Sequence, residues 1–148
     1  MSLISGPVDG ERLAALPEEE RAYCEFVVRL CGEVLDSRPR QTEALGVAAS
    51  ALTALGRYAA GLALDRRLAA IRPDDPMVLY NLACSLSLTG GADAAFDVLA
   101  EAVRHGYRDA RHLRHDPDLA PIRGDPRFGM ILTAIGNAGP VVGRASSD

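Results

Sequence analysis

His112 and His115, three residues apart and so on one helical face, make with the Cys84 thiol the nearest approach to a metal-ligand set in this chain. The set lacks a fourth ligand and no second thiol lies nearby in sequence, so neither a metal nor a cofactor is expected. Cys24 and Cys31 form no Cys-x-x-Cys pair, and on a shared helix they read as small core residues rather than as redox partners. Gly90-Gly91 lacks the Lys-Ser/Thr that completes a phosphate-cradling loop and reads instead as a tight helix–helix turn. The histidines cluster with Arg104, Arg108, Arg111 and Arg114, which disfavour a charged imidazolium and supply no nucleophile. No catalytic constellation emerges, and the chain is read as a non-enzyme.

The basic run from Arg104 to His115 has the makings of an anion site, with Arg111, Arg114 and His115 its candidate contacts. Asp109, Asp116 and Asp118 lie close enough in sequence to neutralise much of it as ordinary surface pairs. A net charge of -4 argues against nucleic acid or an anionic membrane surface as the main partner. No apolar stretch approaches the ~20 residues of a membrane span, no leader segment is legible, and three unpaired cysteines fit a reducing, cytoplasmic setting.

The elements that would position these side chains are helical. At 148 residues, with 48% apolar, 24% charged and 5% aromatic residues, the chain suits one elongated domain packed through Ala and Leu. Residues 1–17 read as a loose lead-in, with a short helical turn over Glu11 to Ala15. A helix follows in 18–41, with Tyr23, Phe26, Val27, Leu30, Cys31, Val34 and Leu35 on one broad apolar face, and Pro39 ends it. In 42–75, Leu45, Ala48, Ala49 and Leu52 precede a turn at Gly56, and a second helix closes at Pro73. In 76–109, Leu79, Leu82, Ala83 and Leu86 precede Gly90, and Ala95, Leu99, Ala102 and Val103 follow it. Gly56 and Gly90 stand 34 residues apart, as do Pro39 and Pro73. Beyond Asp109 the period is expected to fail. Asp116-Pro117 and Asp125-Pro126 each place a capping carboxylate before a first-position proline, starting short helices in a 110–136 capping segment. Residues 137–148 read as a flexible tail.

Thirty-four residues in two helices with this turn glycine resembles the tetratricopeptide repeat. The 76–109 unit carries it best, in its Tyr80-Asn81-Leu82-Ala83 run with Ala95, Leu99 and Ala102. The 42–75 unit agrees at Leu45, Ala49, Leu52, Gly56, Tyr58 and Pro73, but has Gly61 for the small alanine and Asp65 for the expected aromatic. Residues 18–41 resemble a degenerate cap. Asp116 to Phe128 is similar to an end segment found after the last repeat in bacterial proteins, and would lay Phe128, Met130, Ile131 and Ile135 over the flank of the preceding unit.

The resemblance implies an all-α stack of antiparallel helix hairpins whose first helices line a concave groove for a protein or peptide partner. In this chain that floor would comprise Val47 and Ser50 with Glu43, Gly46 and Thr53, then Met77, Tyr80, Asn81 and Cys84 with Ser87. Tyr80 would be an aromatic anchor and Asn81 a partner for peptide backbone, unless the protein's own tail covers the floor. A carboxylate clamp built on Asn81, Arg111 and His115 is opposed by Gly46 and Ser50, which stand where a lysine and an asparagine would be needed. The implied function is a non-catalytic interaction scaffold. A secretion-type chaperone and a ligand-sensing or accessory domain of an enzyme system are the alternatives.

Overall fold

A computed structural model describes residues 16–139, and among them every regular element is helical. The expected turn at Glu11 to Ala15 and the tail beyond residue 139 lie outside the described residues. In chain order the elements are α1 (Glu18–Ser37), α2 (Thr42–Ala54), α3 (Tyr58–Ile71), α4 (Pro76–Leu88), α5 (Ala92–Arg104) and α6 (Ala110–His115). A 3-10 helix, η1 (Pro117–Ile122), and α7 (Pro126–Asn137) follow. α1 packs on α2, α2 on α3, α3 on α4 and α4 on α5, which makes an all-α stack of helical hairpins. The stack is closed by η1 lying on α4 and by α7 lying on α5. Among the described residues no helix is long and apolar enough to cross a membrane.

The hairpin turns rest on backbone chemistry local to each glycine. Gly56 (φ 73°) and Gly90 (φ 82°) take the left-handed conformation after α2 and α4. In each turn the following N–H reaches back five residues, Arg57 N to Leu52 O and Gly91 N to Leu86 O, both at 2.9 Å. That bond satisfies a helix-end carbonyl that would otherwise be orphaned. The two turns therefore match bond for bond on the 34-residue step. A Cβ at Gly90 would meet nothing within 4 Å, so Gly90→Ala tests the backbone alone. It is expected to cost about 1–2 kcal/mol in urea unfolding, the penalty of holding an L residue in the left-handed region.

Aspartates set the starts. Asp75 accepts from Met77 N and Val78 N, Asp109 from His112 N, Asp116 from Asp118 N and Asp125 from Arg127 N. Three of the four precede a proline whose fixed φ suits the first helical turn. Asp109 stands one 34-residue step beyond Asp75, and Leu113 one step beyond Leu79, both leucines buried. The period thus continues into α6, one helix further than spacing predicts, until Asp116-Pro117 diverts the chain into η1.

The core falls in two clusters. One joins α1, α2 and α3 with Val78 at its edge, and the other joins α4 and α5 to α6, η1 and α7. Alanines at 44, 48, 49 and 51 are all buried on α2 and bring its neighbours close. Phe128, Ile131 and Ile135 are buried against the second cluster as expected, whereas Met130 is exposed, since it lies on the outer side of α7. On α1 the broad apolar face is split. Val27, Val28, Cys31 and Leu35 are buried against α2, while Tyr23, Phe26 and Leu30 are exposed. Arg57, in the α2–α3 turn, donates both guanidinium arms to Glu25 and holds α1 beside that hairpin.

Candidate functional site

Two openings lie along the first helices. The larger is a groove of about 520 Å³ between α1 and α2. Tyr23, Cys24 and Val27 form its α1 wall, Gly46, Val47 and Ser50 its α2 floor, and Asn81 reaches it from α4. Tyr23 is 67% exposed and Val47 51%, large apolar side chains left facing solvent. A Cβ at Gly46 would meet only the tip of Leu68, in ordinary contact at 3.6 Å.

The smaller opening, about 140 Å³, is polar. Ala49, Ser50 and Thr53 of α2, Asp65 of α3, Asn81 and Ser85 of α4, and Asp118 of η1 surround it. Ser50 and Asn81 belong to both openings, so the two are continuous. Asp65 is 5% exposed, and its Oδ2 accepts from the Ser85 hydroxyl at 2.5 Å. Burial pushes the Asp65 carboxyl up to about 6, the Ser85 bond opposing it only in part. One turn earlier on α3, Gly61 lets α3 approach α2 closely, since a Cβ there would come 3.0 Å from Thr53 Oγ1 and 3.3 Å from the Ala49 carbonyl oxygen. Of the two departures from the repeat pattern, Asp65 lines the polar pocket and Gly61 sets the close approach of α3 to α2 beside it.

The expected site residues divide. Val47, Ser50 and Asn81 border the groove, and Met77 is exposed on α4 outside it. Tyr80 and Cys84 are not at its surface, which corrects their expected placing: Tyr80 is 1% exposed and Cys84 is buried. Tyr80 donates its hydroxyl to Asp116 Oδ2 at 2.7 Å and stacks on Tyr107, with ring centroids 4.4 Å apart. Cys84 Sγ lies 3.7 Å from the same carboxylate oxygen. Asp116 also caps η1 and has His112 Nε2 at 3.3 Å, so one aspartate locks the capping segment onto α4. The chain covers that part of the floor itself, and Ser87 is buried with it.

Burial and the neighbouring carboxylates push the pKa of both the Tyr80 phenol and the Cys84 thiol above its ordinary value, so both stay protonated and act as donors. A protonated thiol is neither nucleophile nor metal ligand. Cys84, Asp116 and Asp118 bring ligand atoms within 4.8 Å of one another, but Asp116 already serves Tyr80, Cys84 and the η1 cap. The imagined set of Cys84, His112 and His115 is not assembled, because His112 turns to Asp116 and His115 is exposed. In the basic run, Arg104 pairs with Glu101, and His105 lies 3.7 Å from both Asp74 and Glu101. Arg108 donates to the carbonyls of Val103, Tyr107 and Gly139. Arg111, Arg114 and His115 are exposed without an ion pair among the described residues.

Sequence reasoning missed Tyr23, Cys24 and Val27 as groove residues, because periodicity assigned them to the packing face of α1. It also missed Tyr107, which stands one 34-residue step beyond Pro73 and supplies a ring where the preceding unit has a helix stop. The Tyr at a closing-proline position is the signal that could have found it.

No known family profile matches the chain. Over 53 residues, 36% of its length, it is 38% identical to a chloroplastic protein of Arabidopsis thaliana, and it spans 16% of that protein.

Proposed function

We propose that the chain is a non-catalytic protein-interaction module of the tetratricopeptide kind, working in the cytoplasm, which receives a peptide or partner helix between α1 and α2. The observation that carries the reading is the groove itself, with Tyr23 and Val47 exposed along a concave, mostly apolar surface of about 520 Å³. The repeat assignment is supported by two hairpin turns that match bond for bond at a 34-residue step. Asn81, at the lip of both openings, is placed to bond an extended backbone. The buried phenol and thiol beneath η1 serve as structural donors, in keeping with a scaffold. Of the expected contacts, Val47, Ser50 and Asn81 remain in the proposed site, Tyr23 joins them, and Tyr80 and Cys84 support the fold.

The test is a comparison of affinity purifications with the parent chain and with Val47→Glu combined with Tyr23→Ser. Both positions are exposed, so the melting temperature should change by no more than a few degrees. Proteins enriched by the parent should be lost from the double variant. Equal enrichment with both baits would move the interaction to another face.

A further inference from the structure

We infer that the polar pocket beside the groove receives an arginine side chain of the bound segment, whose apolar residues lie against Val47 and Tyr23. This inference rests on the groove reading and adds the chemistry of the occupant.

Asp65 is the reason. In the following unit the same position is Leu99, fully buried, so α3 carries a carboxylate where the architecture calls for hydrocarbon. Burying an ionised carboxylate without a cation is costly. Ser85 donates to Oδ2, and among the described residues no donor reaches Oδ1 and no cationic side chain pairs with Asp65. The side chain lines the pocket, so its unmet acceptor is turned toward the cavity. Beside it stand the Ser50 and Thr53 hydroxyls and the Asn81 amide, each able to accept a hydrogen bond. The pocket therefore sets a buried carboxylate with an open acceptor among side chains able to accept, and no cationic side chain lines it among the described residues.

A guanidinium meets those demands better than an ammonium. It is planar, permanently charged and weakly hydrated, and it carries five donors in fixed directions. Its aliphatic stem would cross the lip shared by Ser50 and Asn81, which sets the arginine next to residues seated in the groove.

The probes are N-acetyl-arginine amide and N-acetyl-citrulline amide, each alone and each extended by two leucines, titrated into the 15N-labelled chain. N-acetyl-arginine amide should shift the amide signals of Thr53, Asn81, Ser85 and Asp118 saturably, and the uncharged citrulline analogue should bind at least about tenfold more weakly. Asp65→Asn, nearly isosteric and with its fold checked by circular dichroism, should erase that preference. The leucines should raise affinity about tenfold or more in the parent and not in Val47→Glu. Equal binding of arginine and citrulline probes overturns the pocket assignment and leaves the groove reading standing. An arginine preference with no gain from the leucines overturns the link between pocket and groove. An arginine preference unchanged in Asp65→Asn overturns the role of Asp65.

Discussion

Tyr80→Ala is expected to remove about 3–5 kcal/mol of stability and roughly 10–15 °C of melting temperature. The loss combines a cavity in the second core cluster, the stacked contact with Tyr107, and a carboxylate at Asp116 deprived of its 2.7 Å donor. Tyr80→Phe isolates the last of these. It keeps the ring and should cost only about 1–3 kcal/mol, the worth of one buried hydrogen bond to a carboxylate that still has Cys84 and His112 beside it. Because the two clusters are separate, the damage should be uneven. Hydrogen exchange in Tyr80→Ala should quicken first in α6, η1 and α7, while amides of α2 and α3 keep more of their protection. An alanine variant that melts like the parent would show that the capping segment does not depend on this anchor.

What could be read in advance follows from where each feature's cause lies. Gly56, Gly90 and the Asp-Pro pairs act through backbone atoms a few residues away, so their turns and helix starts were legible from local spacing. Tyr80 and Asp116 are 36 positions apart, and nothing local to either announces their bond. Helical periodicity placed Tyr80 and Cys84 on a shared face correctly, but whether a face is open depends on what later chain returns to cover it. The same limit applied to α1 in the opposite sense. Tyr23, Phe26 and Leu30 follow the apolar spacing of Val27 and Cys31, yet only the side toward α2 found a neighbour among the described residues. The candidate site consequently moved one helix toward the N-terminus, keeping Val47, Ser50 and Asn81 and exchanging Tyr80 and Cys84 for Tyr23 and Val27. Asp65 and Gly61 were visible as departures from a pattern. What Asp65 lines, a polar pocket continuous with the groove, required α2, α3, α4 and η1 in three dimensions.

Asp65 also makes stability depend on pH in a direction opposite to the usual carboxylate. Its folded-state ionisation is pushed up to about 6, against an ordinary value of 3.8. Below about pH 4 the group is protonated in both the folded and the unfolded chain and carries no electrostatic penalty. Between about 4 and 6 the unfolded chain releases the proton while the folded chain keeps it, so this group's contribution to stability falls as pH rises. Above about 6 both states are ionised, and the folded chain carries a constant cost of about 3 kcal/mol. Asp65→Asn removes the titration and retains a side chain able to meet the Ser85 hydroxyl. It should therefore unfold like the parent near pH 4 and be up to about 3 kcal/mol more stable at pH 7, as read by urea unfolding at each pH. Ser85→Ala should steepen the parent's decline, because the hydroxyl bond is what holds the Asp65 ionisation down against burial. Parallel stability profiles for the parent and Asp65→Asn across pH 4 to 7 would mean that the carboxylate is solvated in the folded state. A neutral-pH gain in Asp65→Asn would mean instead that the folded chain keeps a destabilising buried charge, a cost that an arginine entering the pocket would offset.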